Sequence, residues 1–168
     1  MADRLEPQDP QVSPADASPP AEQPRVFVSY ASPDVAVAND LVEVLEQHRI
    51  PCWIAPRDVK PGALYADAII RAINTAPALV LVLSESSIAS THVGKEVERA
   101  SSKKRPLLAL RIDSAPLTPA LEYFLSESQW IEALTGTQDA AYRRLIDALL
   151  GVGTTSAAAI PSAPSPMT

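Results

Sequence analysis

The hydrophobic positions of this chain change period several times, and each change marks an element. Val26, Phe27 and Val28 form an unbroken apolar run of β-formers that stops at small polar residues, the pattern of a buried strand entering a turn. Val35, Ala38, Leu41, Val42 and Leu45 then fall at helical spacing behind Ser32-Pro33-Asp34, which offers an N-cap serine, a proline at the first helical position and an early acid. This helix is expected to end near His48, a helix-end residue rather than a ligand. Pro51-Cys52-Trp53-Ile54 reads as a short strand, Ala66, Ile69, Ile70 and Ile73 as one face of a helix, and Ala78 to Leu83, apolar on both faces, as a central strand covered on both sides. A helix from about Ser86 to Lys104 should follow, then a strand over Leu107 to Ile112 and an irregular stretch through Pro116 and Pro119. A short strand around Gln129-Trp130-Ile131 and a helix carrying Tyr142, Leu145, Ile146 and Leu149 complete the pattern.

Strands that alternate with helices, without internal repeat, specify an α/β three-layer sandwich around a five-stranded parallel sheet, with the flavodoxin-like order 2-1-3-4-5. Ligands of such sheets sit beyond the carboxyl ends of the strands. The turn Tyr30-Ala31-Ser32 and the loop Arg57 to Gly62 both fall at that edge. The loop carries its own turn chemistry: Pro61 presets φ and Gly62 can adopt φ > 0, as the central positions of a type II turn require.

Composition places this domain at residues 25–150. Residues 1–24, rich in proline, and residues 151–168, rich in alanine, serine and proline, offer almost nothing for a core and are expected to be disordered tails. A net charge of −6 repels phosphates, so nucleic acid is not an expected partner. The basic run Lys103-Lys104-Arg105 falls where a helix should end and complements its dipole. One cysteine, Cys52, allows no intrachain disulfide, suits a reducing compartment and reads as core, as do Trp53 and Trp130. The longest apolar run is far below the roughly 20 residues of a membrane span, so a cytoplasmic protein is expected.

Several chemistries lack their residues. Two histidines and one cysteine give no zinc spacing, and no metal site is expected. No GxGxxG, P-loop or GxSxG motif occurs. The informative segment is Ser90 to Ala100. At about 100° per residue Val93, Val97 and Ala100 form a buried stripe, Glu96 borders it, and Glu98 points to nearly the opposite face. A border carboxylate can be partly desolvated, where its charge acts most strongly. Spacing alone favours an ordinary boundary glutamate paired with Lys95, Arg99 or a lysine nearby.

The strand Val26 to Ser32, the loop Arg57-Asp58-Val59-Lys60-Pro61-Gly62-Ala63 and the strand Leu79 to Ser84 together resemble the TIR (Toll/interleukin-1 receptor) domain, over about residues 25–149. The loop corresponds to the family's BB loop. In TIR domains that consume NAD⁺, a glutamate of this third helix, typically in W-x-x-x-E, is catalytic, and the match here is His92-Val93-Gly94-Lys95-Glu96. The resemblance implies an NAD⁺ glycohydrolase or ADP-ribose cyclase with NAD⁺ as substrate, no cofactor and Glu96 as the essential carboxylate. Tyr30, Ala31, Ser32, Lys60 and His92 would contact substrate. Arg57, Asp58, Pro61 and Gly62 would serve self-association with other TIR domains, as a homo-oligomer or filament. His92 stands where the family usually has tryptophan, and Ala31 and Ser32 where some members have basic residues. The alanine and proline bias suits a bacterial protein, and the resemblance implies a role in defence or virulence, the latter with delivery into host cells.

The resemblance also implies a rival of another class, a non-catalytic adaptor or host-directed mimic that binds other TIR domains through the BB loop. A nucleoside deoxyribosyltransferase-like enzyme shares the layered plan and a catalytic glutamate, but the Pro61-Gly62 loop speaks against it.

Overall fold

The computed structural model describes residues 23–155. Five parallel strands, β1 (Val26–Ser29), β2 (Cys52–Trp53), β3 (Leu79–Leu83), β4 (Leu107–Arg111) and β5 (Gln129–Glu132), form one sheet in the expected order 2-1-3-4-5. Strand periodicity divides the core into two layers. Val26, Val28, Val80, Val82, Leu108 and Leu110 point to α1 (Val35–Gln47) and α6 (Gln138–Thr155). Phe27, Leu79, Leu81, Leu83 and Ala109 point to the other layer, which contains α2 (Tyr65–Thr75), α4 (Thr91–Ser102) and α5 (Pro119–Leu125). Every side chain of β3 is buried, as its doubly apolar run requires.

Three local expectations need correction. Ser32 does not cap the first helix with its side chain: residues Ser32–Asp34 form a 3-10 turn, and Asp34 becomes the N-cap of α1 without a side-chain capping bond. Its carboxylate is instead used across the sheet edge, accepting a hydrogen bond from the Ser84 hydroxyl. The long helix expected from Ser86 to Lys104 is broken into α3 (Glu85–Ala89) and α4. Ser90 causes the break, with an extended ψ of 119° and an Oγ that accepts from Val93 N at 3.3 Å, so it starts a new helix instead of continuing the old one. The stretch expected to be irregular around Pro116 and Pro119 contains α5: Thr118 accepts from Leu121 N at 3.3 Å, Pro119 occupies the first turn, and Leu121 and Leu125 are buried.

Other expectations hold. Cys52 and Trp53 lie in the core, Trp53 stacked on Phe27 with ring centroids 5.1 Å apart, and Trp130 packs against the same layer. His48 is the C-cap of α1, with Nδ1 2.8 Å from Val44 O. Lys103 is the C-cap of α4, so the basic run does sit at a helix end. On α2, however, only Ile73 is fully buried and Ile70 is 40% exposed. The expected tails lie for the most part outside the described residues, and α6 continues to Thr155, past the boundary at residue 150. Among the described residues no helix is long and apolar enough to cross a membrane.

Candidate active site

The site grows from the alternation of β1. Phe27 faces the α4 layer, so Ser29, two residues on, faces it too and reaches α4 at the carboxyl edge of the sheet. There the Ser29 hydroxyl, only 1% exposed, donates to Glu96 Oε2 at 2.5 Å. Glu96 is partly buried beside Val93, Val97 and Ala100, while Glu98 is exposed, as the helical spacing required. Burial raises the Glu96 pKa from 4.5 to about 7, the hydrogen bond from Ser29 acting in the opposite direction. The alternative of pairing with Arg99 is not realised, since Arg99 Nε donates to Asn74 Oδ1 at 3.1 Å on α2.

Tyr30 follows Ser29 out of the strand, and its hydroxyl donates to Ala55 O at 2.6 Å, tying the end of β1 to the start of the loop after β2. Burial raises the phenol pKa, with further contributions from the nearby Tyr65 and Glu96. Tyr65 is therefore part of this corner. It opens α2 and is 53% exposed, next to Leu64, which is 72% exposed. Ala31 is buried and Ser32 exposed on the 3-10 turn, and His92 is exposed one helical turn before Glu96.

The loop from residue 54 to 64 has two parts with different duties. Lys60-Pro61-Gly62-Ala63 forms the expected type II turn, with Gly62 at φ 80° and Ala63 N donating to Lys60 O at 3.1 Å. Lys60, Pro61 and Gly62 are exposed. Arg57 and Asp58, by contrast, anchor the loop. Asp58 accepts from Ile54 N at 2.9 Å, from Arg57 at 3.0 and 2.8 Å, and from Arg25 at 3.4 Å. Arg57 also bridges to Glu46 at 2.7 Å and donates to Cys52 O at 3.0 Å. In β2, Pro51 O already accepts from Val26 N, so alternation turns Cys52 O to the free edge, and the guanidinium covers an edge carbonyl that no strand satisfies. The Cys52 thiol, pushed up to about 12 mainly by burial, stays protonated and inert.

Of the residues expected at a substrate site, the structure brings Tyr30 and Glu96 together and puts His92 on the same helix face, one turn away. Ser29 and Tyr65 are additions that the motif reading missed. Ser29 was accessible from period two, counted from Phe27; Tyr65 follows the loop and carries no periodic signal. Two clefts lie elsewhere. One of about 400 Å³ is bounded by Arg25, Arg49 and Arg57 beside β2, and one of about 560 Å³ by Leu117, Leu125 and Trp130. Neither is lined by Ser29, Tyr30 or Glu96. Among the described residues no cluster of His, Cys, Asp and Glu could hold a metal.

A five-stranded parallel sheet of this order between two helical layers defines the flavodoxin-like class of α/β folds. The family model for the TIR domain matches residues 26–146, and the chain belongs to that family. Among solved structures it is similar to the TIR domain of the Toll-related receptor TRR-2 from Hydra magnipapillata, at 22% identity and a TM-score of 0.64, covering 74% of this chain and 97% of that one. It is also similar to the TIR domains of the activated Roq1 resistosome, at 16% identity and a TM-score of 0.61, covering 76% and 97%. The CMP N-glycosidase BcmB of Clostridium botulinum shares the fold at 13% identity and a TM-score of 0.51, covering 71% and 97%. At these identities the likeness is one of fold. No curated protein matched the sequence significantly.

Proposed function

We propose that this TIR domain cleaves the bond between nicotinamide and ribose in NAD⁺, releasing nicotinamide and either ADP-ribose or a cyclic isomer. The observation that carries the reading is the Glu96 carboxylate, held by Ser29 at the carboxyl edge of the sheet and partly desolvated. NAD⁺ suits a lone carboxylate. Its leaving group is a pyridinium that departs as neutral nicotinamide, so no general acid is needed. What helps is an anion beside the oxocarbenium-like ribose as the bond breaks. Water adding to the cation and losing a proton gives ADP-ribose; attack by the adenine or a ribose hydroxyl of the same molecule gives a cyclic product.

Within this reading Tyr30, Ala31, Ser32, Lys60 and His92 surround the substrate. His92 offers an imidazole where relatives with tryptophan offer a wider stacking surface. The exposed turn Lys60-Pro61-Gly62, followed by Leu64 and Tyr65, supports a second element: a neighbouring copy closes the site through this loop, excluding water that would screen Glu96. The same exposed surface supports the adaptor reading, in which the domain only binds other TIR domains. Incubating purified protein with NAD⁺ over a hundredfold range of protein concentration, with chromatographic separation of products, decides between them. Cleavage whose specific activity rises with concentration is expected; absence of cleavage at every concentration favours the adaptor.

A further inference from the structure

We propose that Ser29 is a positioning residue for Glu96: its buried hydroxyl fixes Oε2 and favours the anionic form of the carboxylate against burial, leaving Oε1 to face the ribose. The proposal rests on the reading of Glu96 as the carboxylate that stabilises the ribosyl cation. Two features of geometry support it. The 2.5 Å separation lies at the short end of O–H···O distances and within the range of a hydroxyl donating to a carboxylate anion. Ser29 is also the last residue of β1, a strand paired with both β2 and β3, and is itself in register opposite Leu81 of β3, so the hydroxyl sits on a rigid element and not on a loop.

Ser29 works against burial, which favours the neutral acid and would leave nothing to stabilise a cation. Other groups near α4 do not take over this task. Beyond Tyr30 at the end of β1, the elements packed on α4 carry Tyr65, Asp67 and Arg71 on α2, Glu85 on α3, Arg111 on β4, and Glu122 and Tyr123 on α5. Burial and the Ser29 hydrogen bond are the causes that set the Glu96 pKa. On α4 itself, Arg99 is engaged with Asn74.

The test is a ¹³C-carboxyl NMR titration of protein labelled at glutamate, with Glu96→Gln assigning the signal, on the wild type, Ser29→Ala, Ser29→Thr and Ser29→Cys. Wild type should titrate near pH 7. Ser29→Ala should titrate about one to two pH units higher, Ser29→Thr close to wild type and Ser29→Cys between. In parallel, kcat for NAD⁺ should rise with pH through the same midpoints, so that Ser29→Ala loses about tenfold at pH 7 and recovers towards pH 9, with KM little changed. An unmoved Glu96 midpoint in both the alanine and cysteine variants overturns the proposal, as does an activity loss equal at every pH. Absence of NAD⁺ cleavage by the wild type would instead reject the proposed function, and the NMR titration would still judge the hydrogen bond.

Discussion

Two carboxylates sit on neighbouring corners of the sheet edge and have opposite surroundings. Asp58 is enclosed by a backbone N–H and two arginines, Arg25 and Arg57, and through Arg57 is linked to Glu46 and the free edge of β2. Glu96 is as closely held by the fold, but by a single hydroxyl, and burial dominates its chemistry. A carboxylate whose lone pairs are filled by cations and amides stabilises the native loop. One that is desolvated without such partners weakens the native state and keeps its charge for another molecule. The difference teaches that Asp58, although in the loop that the sequence marks as functional, spends its charge on structure.

The largest expected effect is on Glu96. Glu96→Gln should lower NAD⁺ turnover about a thousandfold while the domain stays folded, read from product formation and circular dichroism. If Glu96→Gln and Glu98→Gln fall equally, the special environment of Glu96 has no catalytic meaning. Asp58→Ala should break the other corner: Ile54 N loses its acceptor and Arg57 a partner, so denaturant unfolding should show a loss of about 2–3 kcal/mol. A loss near zero would mean that water replaces the anchor.

The contrast extends to pH. Glu96 has a folded pKa raised to about 7 from 4.5, so its contribution to stability is fully present below pH 4.5 and is lost as pH rises through 7. The shift corresponds to up to about 3 kcal/mol, reduced to about 1–2 kcal/mol because the side chain keeps some contact with water. Glu96→Gln should therefore be the more stable protein at pH 8 by about that amount and lose the advantage by pH 4, measured by chemical denaturation at both. Equal stability at both pH values would place the carboxylate in ordinary solvent.

Gly62→Val tests the exposed half of the loop against its anchored half. A Cβ at Gly62 meets nothing within 4 Å, so the cost, about 1–2 kcal/mol, arises from the positive φ alone. The expected outcome is a displaced turn and loss of the concentration-dependent part of activity, with some activity restored on mixing with Glu96→Gln protein. The smallest effect belongs to the exposed Glu98: Glu98→Gln should change stability by less than about 0.5 kcal/mol.

The sequence by itself determined the layers and the border position of Glu96, because both follow from periods of 2 and 3.6 that a single chain displays, and the alternation of strands with helices pointed to the strand order. It also determined the type II turn, since proline and glycine carry their φ preferences with them. It did not show the break at Ser90 or the helix after Thr118, where one serine or threonine oxygen outweighed the surrounding pattern. Only the tertiary structure decided the partners. Ser29 meets Glu96 across 67 residues, Arg57 and Asp58 turn inward to cover β2, and Tyr65 joins the corner of Tyr30. Hydrogen bonds and desolvation depend on which groups lie within about 3 Å in space, and sequence spacing does not encode that distance.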